Sequence, residues 1–227
     1  MQGISHVRLE ILNASVVILA EHHNPTILHP SFLTSEGIVP GDWELAEPPV
    51  STPVFALVKY RNGIVFSVEE NKFQVTDAQT KDDFRESPVA VLACRYAEKL
   101  PHVHYTAAGI NFQGFIERSS PEKAVIDRFI KEGSIDLEAA CPSALGLNIV
   151  YDIAETRLRL SIDPGKVKRP KNVEERSGIL ANANYHVDLD AKDRLGGIRK
   201  ATGFFQTRHD AFLQIMHYIF LRHEVKR

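Results

Sequence analysis

The chain has 227 residues, 44% hydrophobic and 25% charged, which allows a substantial core and favours neither wholesale disorder nor a membrane protein. Lys and Arg total 27 against 29 Asp and Glu, a formal net charge of -2, so no global positive field draws in nucleic acid. Cys94 and Cys141 lack the spacing of a zinc knuckle or a redox pair and are expected to be reduced thiols.

The apolar run in ILNASVVILAEHH is broken by Asn13 and Ser15 and has no clear basic leader, so a buried strand over Ser15 to Ala20 explains it better than a targeting signal. No stretch approaches the roughly 20 apolar residues of a transmembrane helix. The expectation is a cytoplasmic protein with no membrane partner. Six prolines then follow between Pro25 and Pro53, which rules out a long helix there. Spaced apolar residues from Ile27 to Leu45 predict that this segment wraps onto the core rather than staying in water.

PVFALVKY, Arg-Asn-Gly and IVFSVEE predict a β-hairpin, with Asn62-Gly63 supplying positive φ in the turn. KFQVT is a third strand. Ser87-Pro88 opens a helix through Leu100, with Val89, Leu92, Ala93, Tyr96 and Leu100 at helical spacing and Pro101 ending it. His102 to Glu117 reads as a long strand, bent at Gly109 or Gly114. Ser120-Pro121-Glu122 begins a helix that Gly133 closes. Three alternating strands follow, LGLNIVYDI, TRLRLSI and ILANANYHVDLD, and the stripe Phe212, Ile215, Met216, Ile219 and Phe220 marks a final helix from Thr207 to His223.

The expected fold is α+β: an antiparallel sheet with helices packed on one face, forming a single unit over 1–227. Its halves, 15–100 and 102–227, share the order strand, long connection, three strands and helix, and read as two pseudo-repeated, strand-rich parts.

Several side-chain groups invite a chemical reading. Alternation sets His102 and His104 on one strand face, and His186 and Asp188 on another, so a zinc or iron site would form if those strands were neighbours. The competing explanation is the polar face of a half-buried sheet. His22 and His23, being adjacent, point to opposite sides, and the Asn24-Pro25 and His29-Pro30 pairs suit turns. His209 and His217 stand about 12 Å apart along a straight helix, too far to share an ion, and Thr207 with Asp210 suits a helix start. Cys94 reads as a small buried or half-buried thiol. Arg194, Arg199 and Lys200 around a Leu195-Gly196-Gly197-Ile198 loop form the best small-anion candidate. The basic run Lys166 to Lys171 meets Glu174 and Glu175 at once and lacks aromatics for stacking, so nucleic acid is not the expected partner.

The function expected from these features is non-catalytic protein binding or assembly, through sheet edges or the proline-rich 24–53 segment, with Trp43, Leu45, Pro48 and Pro49 as contact residues. The foremost partner is a second copy of the chain, giving a homo-oligomer without a cofactor. The alternative is a metal-dependent hydrolase or oxidoreductase using the His102/His104 strand face, with His186 and Asp188 as further ligands.

Overall fold

A computed structural model describes residues 8–79, 83–131, 142–168 and 175–221. Nine strands form one antiparallel sheet: β1 (Leu9–Ala20), β2 (Val50–Ser51), β3 (Phe55–Lys59), β4 (Ile64–Glu69), β5 (Lys72–Asp77), β6 (Tyr105–Glu117), β7 (Leu147–Ile153), β8 (Thr156–Lys168) and β9 (Glu175–Asp188). Their order is β2-β3-β4-β5-β1-β6-β9-β8-β7. The helices are α1 (Pro30–Ser35), α2 (Val89–Lys99), α3 (Pro121–Phe129), α4 (Arg194–Gly203) and α5 (Phe205–Met216), the last continuing into a π-type turn, His217–Leu221. The architecture is α+β, and no described helix is long and apolar enough to cross a membrane.

Each side of the central β1–β6 pair has the same construction. A long inner strand is followed by an excursion, antiparallel strands return to pair beside it (β3 to β5 with the two-residue β2 outermost on one side, β7 to β9 on the other), and a helix crosses back over the sheet. The inner strands pair antiparallel with Val16 opposite Ile110, and α2 packs on α4 above them. The resulting core is continuous. Phe73 of β5 stacks on Tyr96 of α2 at 3.8 Å, while Phe112 of β6 meets Phe205 and Phe212 of α5 at 5.3 and 5.9 Å. Period-2 burial along the strands and period-3.6 burial along the helices meet in this layer.

Local chemistry explains most element ends. Gly63 turns the β3–β4 hairpin at φ +86, whereas Asn62 does not share the positive φ and instead accepts a bond from the Ile64 amide through Oδ1. The Asn24 side chain accepts from the Thr26 amide and His29 Nδ1 from the Ser31 amide, so each residue before a proline caps a short helical turn. Ser87 does not cap α2, because its hydroxyl donates to the buried Asp77 carboxylate at 2.8 Å. The register breaks beside β6 insert Leu12 into β1 and Thr106 into β6, while Gly109 and Gly114 stay in step with β9. Gly114 is required by approach rather than by a bend: a Cβ there would lie 2.9 Å from Leu9 Cδ1 and 3.0 Å from Phe212 Cζ.

Three further sequence expectations are corrected. The strand assigned to His102–Glu117 starts only at Tyr105, because residues 101–103 form the turn that follows α2. The Leu195-Gly196-Gly197 stretch is the first turn of α4 rather than a loop, with Asp193 accepting the Gly196 amide at 2.9 Å. The last helix begins at Phe205, so Thr207 and Asp210 do not cap it, and Asp210 instead holds Arg85 through two bonds of 2.9 and 2.6 Å. Gly133, Cys141 and His223 lie outside the described residues.

Candidate functional site

The uncovered sheet face is built from the strand residues that alternate with the core. Across it run two ladders of uncharged polar side chains. Asn13 Nδ2 donates to Gln113 Oε1 at 2.9 Å, Gln113 Nε2 to Asn182 Oδ1 at 2.9 Å, and Asn182 Nδ2 to Ser161 Oγ at 3.2 Å. Beside it, Asn184 Nδ2 donates to Asn111 Oδ1 at 2.6 Å and Asn111 Nδ2 to Ser15 Oγ at 3.4 Å. These amides satisfy one another across four strands, which makes the face polar and largely self-paired.

The histidines proposed for a metal are placed around this face and engaged separately. His102 lies exposed in the turn before β6. His104 Nδ1 pairs with Glu21 at 3.1 Å, and His186 Nε2 pairs with Asp188 at 3.0 Å on one strand. His186 lies opposite Gly109 and Asp188 opposite Ala107, so β6 presents no ligand directly across from either. Among the described residues no three His, Cys, Asp or Glu side chains gather in a way that could hold a metal ion.

The other proposed positions also have intramolecular roles. Arg194 donates to the carbonyls of Tyr105 and Ala191, Arg199 to Glu98 at 2.7 Å, and Lys200 to Glu155. Asp193 occupies the start of α4, Arg199 and Lys200 each face a carboxylate, and Arg194 is held by backbone carbonyls. Trp43 packs edge-on against Tyr60 at 5.2 Å, and Leu45 bridges to Tyr60. Pro48 is exposed and Pro49 half-buried. His22 is exposed beside Glu70, whereas His23 is buried and bonded to the Ile18 carbonyl at 3.3 Å; desolvation pushes its pKa below the ordinary value. The half-buried Cys94 Sγ donates to Glu98 at 3.8 Å, and burial pushes its pKa up.

The two sheet edges differ in a way that bears on binding. One edge is closed. The 44–46 backbone bonds to residues 59 and 61, ion pairs Glu44–Arg61 and Glu47–Lys59 hold it, and the two-residue β2 lies between Pro48-Pro49 and Pro53. Prolines cannot donate to a ladder, so this edge resists further pairing.

The opposite edge is β7, seven residues long and without a proline. Among the described residues no strand pairs with its outer side. Its helix-side residues Leu147, Ile149, Tyr151 and Ile153 are only half-buried, because the helical layer does not close over the last strand, and Val150 on the other side is 55% exposed. Tyr151 continues into an apolar groove of about 980 Å³ that Leu9, Leu213, Tyr218 and Ile219 also line. An unpaired backbone edge and an apolar groove thus lie side by side. Sequence reasoning found the alternation of LGLNIVYDI but not its place at the rim, since strand order is a long-range property. Comparison of the chain with protein-family models, curated proteins and solved structures finds no match in any of the three.

Proposed function

We propose that this is a non-catalytic protein-binding or assembly module that accepts an extended protein segment along β7. The observation that carries this reading is the contrast between the edges: a proline-bracketed strap closes one, while the other offers seven residues of backbone beside half-buried apolar side chains. Main-chain hydrogen bonds along such an edge supply affinity for a strand, and alternate side chains supply selectivity. Asp152 is the only charged residue in β7, and its carboxylate is already engaged by Arg157 at 3.2 Å. The edge therefore carries little of the charge that usually guards exposed strands. The proline-rich segment 24–53 is a weaker candidate, because Trp43 and Leu45 are committed to the protein's own sheet.

A labelled synthetic peptide of residues 145–155 is the probe. It is expected to bind the protein with a rise in fluorescence anisotropy, while the same peptide with proline at Val150 does not. Equal binding of both peptides overturns the reading, as does no binding by protein that sediments as single copies.

A further inference from the structure

We infer that the segment received by β7 is the β7 strand of a second copy, paired antiparallel about a two-fold axis through Val150. This inference rests on the edge reading above and narrows it to one partner.

The residues of β7 are self-complementary under that operation. A two-fold at Val150 sets Leu147 opposite the second copy's Ile153, Asn148 opposite Asp152, Ile149 opposite Tyr151, and Val150 opposite itself. Even-numbered residues meet even-numbered ones, so outward-pointing backbone groups meet outward-pointing partners. The apolar face stays on one side: Leu147, Ile149, Tyr151 and Ile153 align through β8 with Ile162, Leu160, Leu158 and Thr156, all buried beneath the helices. Two copies would bring eight such half-buried side chains into one strip, with an apolar groove on each flank.

Charge favours this register over those with the axis two residues to either side. With the axis at Val150, the carboxylate of Asp152 faces the Asn148 amide, which can donate to it, and stays beside its own Arg157. Sliding the axis to Asp152 would place two carboxylates face to face, a destabilising arrangement in a ladder. Sliding it to Asn148 would carry Asp152 past the end of the paired strand. Val150, the most exposed apolar side chain of β7, gains most cover on the axis itself. The chain already joins two similar strand sets in this manner, since β1 and β6 pair antiparallel at the centre of the sheet. An interface in which one patch meets itself is the ordinary solution for a soluble homodimer.

Cysteine scanning in a Cys94→Ser, Cys141→Ser background tests the register. Directly opposed residues have Cα atoms about 4.5–5.5 Å apart, inside the span a disulfide bridges. Val150→Cys is therefore expected to give a linked dimer under mild oxidation. Asn148→Cys and Asp152→Cys singly would each place their two thiols about 14 Å apart, a four-residue offset along the strand, and are expected to remain largely unlinked. The Asn148→Cys/Asp152→Cys double variant restores linkage. Sedimentation of the wild-type protein is expected to show a dimer, which Val150→Lys weakens by about tenfold or more through like charges on the axis. A wild-type monomer throughout the micromolar range overturns the inference, as do equal linkage at all three single positions or preferential linkage of Asn148→Cys. Peptide binding by such a monomer leaves the edge reading standing, so the two failures are distinguishable.

Discussion

Replacing Phe112 by alanine tests the core on which every placement above depends. Phe112 lies in the central strand β6, 1% exposed, and its ring meets Tyr185, Phe205, His209 and Phe212 at 5.3 to 6.2 Å. Its strand neighbours in register are Ala14 and Ala183, too small to reach into the vacated space. A buried aromatic ring covers on the order of 200 Å², and at ~25 cal/mol per Å² its removal forfeits roughly 5 kcal/mol before the alanine methyl is credited back. Core Phe→Ala changes cost about 3–5 kcal/mol, so the expected loss is about 4 kcal/mol. Phe204→Ala is the control, because that ring is 43% exposed; its expected loss is below about 1 kcal/mol. Urea unfolding followed by circular dichroism, at fixed pH and several protein concentrations, measures both. A loss under about 2 kcal/mol for Phe112→Ala, or equal losses for the two variants, would refute the packing described for β6 and α5.

Acid sensitivity is expected at His23. Burial lowers its pKa in the folded protein; the unfolded ring protonates as pH falls through about 6.5, so stability present above that pH is lost as pH falls through the lower folded value. The urea midpoint should therefore fall more steeply on acidification in wild type than in His23→Gln, and parallel curves would contradict the assignment. Gly63→Ala places a Cβ at φ +86 and is expected to cost roughly 1–2 kcal/mol, read as a drop in thermal midpoint; an unchanged midpoint rejects the turn. Burial raises the Cys94 pKa, so in a Cys141→Ser protein the thiol should react with iodoacetamide at neutral pH more slowly than in urea-unfolded chain. Equal rates would show it to be open to solvent.

Local patterns were enough to locate most elements. The β3–β4 hairpin, α2 and the three late strands appear where alternation, Asn62-Gly63 and the Val89 to Leu100 spacing call for them. Those signals act over a few residues and depend only on the backbone period and on burial. The misreadings also have local causes. Arg194 to Gly203 is half-polar and carries Gly196, Gly197 and Gly203, so nothing in its own sequence marks a helix; Asp193 at its start and the β6 surface beneath it stabilise α4. His102-Val103-His104 alternates like a strand, but the turn that leads out of α2 takes His102 and Val103, and β6 begins only after His104.

The candidate site shows the same division more sharply. Composition and alternation determined that the chain forms a half-covered antiparallel sheet, and that LGLNIVYDI supplies one of its strands. Only the tertiary structure decided that this strand is the rim, that the proline-rich segment closes the opposite rim, and that His104 and His186 find separate carboxylates. Strand order, edge exposure and the convergence of side chains depend on contacts between residues far apart in the chain. An alternating segment has the same local pattern at the centre of a sheet as at its edge, so the pairing of distant strands is what makes β7 available.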